Sequence, residues 1–470
     1  MSLFFSPDYL QSVAWLYGLN TQAASNARVL ELGCSNGAAL AALAAQWPTG
    51  QFVGIELNSE SSATELHAVP SETNLQLLAV SLDDLLASQL GLFDYIVIHG
   101  TFSQLGNAIT DAVLQFCRQH LNDRGVIACS WRCSPGAKRL DVIRDAAQYH
   151  SGFAETESQQ VASTRAMLGW MSLTQQADVA EFENCSDTLL SHIFLQNQNE
   201  SSYLIEFNSR IENLSLCYVG DLQPATELPG HYGDRIGQLV DTICPQPHKI
   251  LTQQYLDFAV DRVERFTLLT HAAHASCINT LPDTVRLVDM RWAGSFRRVI
   301  KNNQIQEVLE TSDGTSIRID NPMAQLILEV LGDAWPVSMS REQLLFHVTL
   351  PDEEKDYETK LDEALRELFV RQIPGLHFRK GGDSYLDASS PVVTSIDAVF
   401  TRAGVNLWGE VVALTSDEKQ LLLSGIPELP CEEDFFSITG LIRKGMLIAA
   451  PFAWLRYLQR LLRIAPSEHV

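Results

Sequence analysis

The chain has 470 residues, with 46% hydrophobic and 19% charged side chains, which excludes a disordered, collagen-like or disulfide-dense protein and gives room for about three domains at roughly 150 residues each. Its 33 Lys and Arg stand against 57 Asp and Glu, a net charge of −24 that repels polyanions, so nucleic acid is not expected as a partner and basic protein segments or small molecules are. The nine cysteines are odd in number, scattered and without a C-x-x-C pair, which predicts reduced thiols and no zinc cluster. Residues 1–10 lack the basic start and cleavage site of a signal peptide, and the apolar run 446–455 is interrupted by Pro451 and too short to span a bilayer. A cytoplasmic protein without membrane insertion is the expectation.

From residue 28 short apolar runs alternate with helical stretches. Strand-like runs at 28–32, 52–55, 75–78, 93–98 and 125–129 are separated by helices near 38–47, 108–121 and 138–149. Buried strands joined by helices predict an α/β domain with a doubly wound parallel sheet. Residues 152–190 turn polar and helix-compatible, a helical insertion. Two further strand-like runs, 192–195 and 216–219, flank a predicted helix at 202–213 and complete the sheet, so that the domain closes near residue 225. Pro, Gly and charge cluster at 221–235 and 245–248, the expected linker.

Beyond it, 234–242 and 251–271 read as helices, and 284–319 as a meander turning at Ser312-Asp313-Gly314-Thr315. Helices near 323–331, 340–346 and 357–370 with a strand pair across Gly381-Gly382 predict a winged-helix-like unit. The organisation expected is therefore 1–225, a middle domain 226–320, a winged-helix-like domain 321–395 and a helical domain 396–470. These C-terminal modules suit substrate selection or homo-oligomerisation.

The functional reading turns on Leu30-Glu31-Leu32-Gly33-Cys34-Ser35-Asn36-Gly37, a strand, a glycine turn and a helix start. A dinucleotide site wants G-x-G-x-x-G; here Ser35 and Ala38 replace the second and third glycines, and Glu31 sets a negative charge near the phosphates. The same residues spell G-x-S-x-G, a nucleophile elbow, but only 34 residues precede Ser35, too few for the strands that normally come first. The third chemistry is S-adenosylmethionine binding. Glu31, Gly33 and Gly37 hold the amino acid moiety, and Glu56, 25 residues after Glu31 at the end of the next strand, accepts from the ribose hydroxyls.

With these motifs the sequence resembles a class I S-adenosylmethionine-dependent methyltransferase, and more narrowly the bacterial methyltransferases with a methyltransferase regulatory domain, a group that includes lysine methyltransferases of outer-membrane proteins. The resemblance runs through Pro7-Asp8-Tyr9-Leu10, Val29 to Gly37, Phe52-Val53-Gly54-Ile55-Glu56 and Phe93 to Gly100. It continues in Leu121 to Val126, Pro135-Gly136, Gln254-Tyr255-Leu256-Asp257-Phe258, Arg265-Phe266-Thr267-Leu268-Leu269, Asn321-Pro322 and Ala334-Trp335-Pro336. It implies that Glu31, Gly33, Cys34, Ser35 and Gly37 line the methionine end of the cofactor, Glu56 and Leu57 the ribose, and Ser81 and Leu82 the adenine. His99 is implied to face the reacting methyl. Phe102 and Trp131 are expected to wall in a lysine or other amine, with His99 or water taking its proton.

The chain departs from the family at Ser81, where Asp is usual, at Asn36 and at Ala38-Ala39. Further departures fall at Phe102-Ser103-Gln104-Leu105, at Trp131-Arg132-Cys133-Ser134-Pro135-Gly136-Ala137 and after His192. Those near the acceptor side permit two readings. One is a methyltransferase with its own protein or small-molecule acceptor; the other is a degenerate fold that binds cofactor and acts as a scaffold.

Overall fold

The computed structural model describes residues 5–35, 37–57, 74–100, 102, 107–173, 179, 182, 185–195, 201–244, 248–301, 304–348, 356–383, 403–424 and 432–447. Helix α1 (Pro7–Leu16) opens with proline at its first position, where a missing N–H leaves no helical bond unmade. Then come β1 (Arg28–Leu32), α2 (Ala38–Gln46), β2 (Gln51–Leu57), β3 (Leu75–Val80), α3 (Leu82–Ala87), β4 (Phe93–Ile98), α4 (Asn107–Gln119) and β5 (Leu121–Cys133). After α5 (Gly136–Ser151) and α6 (Glu157–Ser172), the chain adds α7 (Leu204–Asn213), β6 (Leu216–Asp221), α8 (Asp234–Ile243), α9 (Lys249–Val260) and β7 (Glu264–His271).

The main sheet has the order β3-β2-β1-β4-β5-β7-β6, with a two-residue strand, Ser201–Ser202, on the end of β5. β1 to β5 are parallel; β7 runs antiparallel to both its neighbours. Alternate residues feed two cores. Leu30, Leu32, Ile96, Ile98, Ile127 and Cys129 pack on one face, and Val29, Tyr95, Val97, Val126 and Ala128 on the other. Burial on both faces is why these strands read as continuous apolar runs.

Two expectations are corrected, and a third falls partly outside the described residues. Residues 264–271, read as the end of a helix, form β7 and slot between β5 and β6, so the sheet continues to residue 271, past the expected domain end near 225 and the linker expected at 221–235 and 245–248. Residues 192–195, read as a strand, belong to a π-helical turn, Ser191–Leu195, whose Phe194 packs edge-on to Phe182 in the small core of the insertion, with Ile143, Ala147, Leu168 and Met171. The third concerns the wing. The strand before Gly381-Gly382, Leu376–Arg379, pairs with Arg291–Gly294, and the second strand expected across those glycines falls in residues 384–402, outside the described set.

In the accessory half, β8 (Arg291–Gly294) is central to a three-stranded sheet, and β9 (Arg297–Lys301) pairs with β10 (Gln304–Glu310). Helices α10 (Pro322–Ala334), α11 (Arg341–Val348) and α12 (Tyr357–Val370) share a core with Trp292 of β8. Beside β8 lie β11 (Leu376–Arg379) on one side and Met339–Ser340 on the other. A hairpin of β12 (Ala403–Val405) and β13 (Val411–Ala413) leads to α13 (Ser416–Ser424) and α14 (Glu432–Arg443), which bury Leu421, Ile438 and Leu441. Helix α1 joins the halves: Tyr9 Oη donates to Leu222 O at 2.7 Å, and Ser12 Oγ accepts from Lys380 N at 2.8 Å.

β7 is held by a buried ionic cluster. Arg265, with no exposure, donates to Asp257 through Nε (3.0 Å) and NH2 (2.7 Å), and through NH1 to Tyr218 Oη (3.0 Å) and Asp221 (3.4 Å). Glu227 lies 3.8 Å away and accepts from Tyr17 Oη at 2.7 Å. Arg262 Nε also donates to Asp257 at 2.7 Å, but Arg265 is the cation that reaches all three buried carboxylates, and removing it strands most of their charge. Arg265→Ala is therefore expected to destabilise the protein by about 3–5 kcal/mol, read as a lowered denaturation midpoint.

Candidate functional site

β1 ends at Leu32, but the chain stays tied to β2: Gly33 N donates to Ile55 O at 2.7 Å and Cys34 N to the same oxygen at 3.3 Å. Gly33 (φ 78), Ser35 (φ 53) and Gly37 (φ 77) are all left-handed, and Gly37 N closes the turn on Cys34 O at 2.9 Å. A Cβ on Gly37 would lie 2.6 Å from Leu77 Cδ1, so both backbone and space demand glycine. The turn delivers the amino end of α2, with its unpaired N–H groups, to the carboxy-terminal ends of the strands.

Strand parity decides which side chains meet there. Glu31 pairs in register with Gly54 and Val97, and Val97 with Ala128. Glu31, Glu56, Ser81, His99 and Ser130 therefore share one sheet face at the ends of five neighbouring strands.

Glu31 is 5% exposed and its Oε2 has no hydrogen-bond partner among the described residues. Burial, with the charge of Glu56 adding, lifts its carboxyl to about 7. Half-buried Glu56 accepts from Ser35 N through Oε2 at 2.6 Å; burial raises its pKa while the Ser35 and Leu57 amides pull it down. An orphaned buried carboxylate oxygen beside an acid and a row of amides fits a ligand carrying an ammonium group and hydroxyls.

The remaining positions have simpler roles. Cys34 is buried, and a Cβ on Gly54 would sit 3.0 Å from its Sγ. Burial and the two carboxylates push its thiol well up, so it packs rather than reacts. Ser81 caps α3, accepting from Asp84 N at 3.1 Å and donating to Asp84 Oδ2 at 2.7 Å. Leu57 and Leu82 are partly buried against the core on the opposite face.

His99 follows β4. Its Nδ1 lies 3.0 Å from Ser130 Oγ, which also accepts from Gly100 N at 3.0 Å. The ring packs on Phe5 (centroids 4.5 Å apart) and near Phe266 (6.2 Å), and burial lowers its pKa to about 4, leaving it neutral at pH 7. Its bond to Ser130 rather than Ser35 removes the partner that a nucleophile elbow needs.

Phe102 and Trp131 do not form the expected wall. They are 4% and 3% exposed, on the face opposite His99, where Trp131 stacks on Phe207 at 4.4 Å and donates Nε1–H to Thr267 Oγ1 at 2.8 Å. Asn36 and Ser103-Gln104-Leu105 lie outside the described residues. Sequence reasoning missed Ser130, although a lone hydroxyl two positions after Ala128 in an apolar strand signals a polar task on that face. A separate cavity of about 260 Å³, lined by Tyr9, Trp292, Phe378 and Glu410, lies at the α1–β11 junction, away from these strand ends.

Residues 30–127 match the family described as "Methyltransferase domain", and residues 186–271 the family described as "Predicted methyltransferase regulatory domain". The chain carries a methyltransferase domain followed by a methyltransferase regulatory domain. Its fold is the class I, Rossmann-like methyltransferase fold: it is similar over 98% of its length to 96% of PKMT2 from Rickettsia typhi in complex with AdoHcy, with TM-score 0.76 and 21% identity. It is 28% identical over 280 residues to the uncharacterized protein RP789 of Rickettsia prowazekii, covering 57% of this chain and 50% of that protein, so the match spans half of that relative's length. The uncharacterized protein RP028 of the same organism is 26% identical over 214 residues, 43% of this chain and 85% of that protein. The regulatory segment contains α7, β6 and β7, and so completes the sheet of the methyltransferase domain.

Trp131→Phe keeps the stack on Phe207 but loses the indole bond. It is expected to lower unfolding stability by about 1–3 kcal/mol while leaving ligand affinity at the Glu31 turn unchanged, measured by denaturation and calorimetry on one preparation.

Proposed function

We propose that the protein is an S-adenosylmethionine-dependent methyltransferase whose acceptor is a protein lysine amine. The observation that carries this reading is the buried Glu31 carboxylate beside the Gly33–Gly37 turn, whose Oε2 has no hydrogen-bond partner among the described residues, with Glu56 on the next strand. Bound there, S-adenosylmethionine supplies an electrophilic methyl group on a sulfonium centre. Glu31 accepts from the ligand's amino group, Glu56 from ribose hydroxyls, and the turn amides face its carboxylate. His99, held neutral by burial, adds no positive charge next to the sulfonium. Methyl transfer to a deprotonated amine is mostly positioning, so the chain's task is to orient the two reactants and exclude water. A lysine acceptor is supported by the net charge of −24, which draws basic segments. The large accessory half suits a macromolecular acceptor.

Calorimetric titration with S-adenosylmethionine and S-adenosylhomocysteine, with NAD as control, tests the site. Binding of the first two that weakens at least tenfold in Glu56→Ala is expected, since a carboxylate–hydroxyl pair is worth roughly 1.5–3 kcal/mol. Absence of binding by both sinks the reading, and binding without turnover on any lysine-bearing protein leaves the scaffold.

The pH dependence follows from Glu31. Its carboxyl is about 7 in the free protein and must be ionised to receive an ammonium group, so binding at lower pH has to expel a proton. Affinity is expected to rise with pH between 6 and 7.5, by up to about tenfold, and to lose that slope in Glu31→Gln. Calorimetry in two buffers of different ionisation enthalpy reads the released proton directly.

A further inference from the structure

The cavity of about 260 Å³ at the α1–β11 junction takes its lining from both halves of the chain. Tyr9 of α1 comes from the methyltransferase half, and Trp292 of β8, Phe369 of α12 and Phe378 of β11 come from the accessory half. Phe378 gathers the other rings, with centroids 5.3 Å from Tyr9, 5.8 Å from Trp292 and 5.7 Å from Phe369. Those three are buried, whereas Gln372 on the same lining is exposed, so the cavity reaches solvent.

The charge of the lining is one-sided. Among the described residues that form it there is no Lys, Arg or Asp, and Glu410 is the one carboxylate. Glu410 Oε2 accepts from Asn406 Nδ2 at 2.8 Å, while Oε1 has His377 Nε2 at 3.7 Å, beyond hydrogen-bond distance. Burial lowers the pKa of His377, so its ring is neutral at pH 7 and does not cancel the carboxylate. Arg379, two residues on, is not part of the lining and lies 3.4 Å from Asp8 and 3.7 Å from Asp383, which match its charge. A negative cavity lined with aromatic rings and poor in hydrogen-bond acceptors fits a cation that is cheap to dehydrate, and methyl groups on nitrogen make it so. We propose that this cavity binds a methylated alkylammonium group, the side chain of a methylated lysine on the acceptor protein.

That the occupant comes from an acceptor protein rests on the methyltransferase reading; the ammonium site does not. The positive charge pairs with Glu410 Oε1, and the methyl groups pack among the rings. None of Glu31, Glu56, His99 and Ser130 lines the cavity, so cofactor and methylated lysine are bound together. An enzyme that holds its own product group at a second site keeps a protein with several lysines attached while another amine is modified, because the tether raises the local concentration of the remaining ones.

The test is calorimetric titration of the full chain with the Glu31 turn saturated by S-adenosylhomocysteine. Choline is the free probe, and dimethylbutanol, with carbon in place of its nitrogen, is the uncharged counterpart. A capped Gly-Lys-Gly tripeptide, with its lysine trimethylated or unmodified, is the side-chain probe. Choline and the trimethylated tripeptide are expected to bind, and the alcohol and the unmodified tripeptide to bind at least tenfold more weakly. Glu410→Gln, which keeps the shape and the bond from Asn406, is expected to weaken both cations at least tenfold with an unchanged denaturation midpoint and unchanged S-adenosylhomocysteine affinity. Equal binding of choline and the alcohol, or equal binding of choline by the unaltered protein and Glu410→Gln, overturns the ammonium site. Equal binding of the two tripeptides overturns the preference for a methylated lysine, and binding of choline alone overturns the side-chain assignment. Failure of the unaltered protein to bind S-adenosylhomocysteine defeats the methyltransferase reading, and the choline titration then still decides the cavity.

Discussion

The guanidinium of Arg265 is the constraint on which the far half of the sheet depends. A cation with no exposure is tolerated only where its charge and its N–H groups are matched, and here Asp257, Asp221, Glu227 and Tyr218 do so from α9, β6, the turn after β6 and β6 again. The pairing fixes β7 between β5 and β6 in one register. That register brings the next residue, Phe266, opposite Ser130 and against Phe5 and His99. A charge cluster on one sheet face thus shapes the wall of the site on the other.

It follows that the regulatory segment is not an appendage. β6 and β7 lie within residues 186–271, and without them β5 would be an open edge carrying unpaired backbone groups. Lys249 of α9 reinforces the join. Its ammonium donates to Asn279 O at 2.9 Å, as well as to Val219 O, and lies 4.3 Å from the Tyr17 ring centroid, while burial pulls its pKa to about 8. Through hydrogen-bonded strand pairing this segment directly supports the β5 residues behind His99.

The parallel half of the sheet was legible because buried strands are apolar on both faces and because Gly33 and Gly37 mark a turn that other residues resist. β7 was not. Helix α9 stops at Asp261, which takes φ 54 in the left-handed region where glycine is the usual signal, so no glycine or proline marks the break before Glu264. The acceptor side misled for a different reason. Trp131 and Phe102 were read as cleft aromatics by their place after strands, whereas strand parity gives that face to Ser130 and sends the two rings into the core.

The charge left unbalanced at the Glu31 turn also discriminates between ligands. A dinucleotide brings two phosphates to the helix amino terminus, and two carboxylates on adjacent strand ends would oppose them at short range in a poorly solvated cleft. S-adenosylmethionine brings an ammonium and a sulfonium, and under the proposed function its one carboxylate would be left to the turn amides. The Oε2 of Glu31 has no hydrogen-bond partner among the described residues, and burial, with the charge of Glu56 adding, lifts its carboxyl pKa to about 7. The same unpaired group becomes an advantage once a cation arrives.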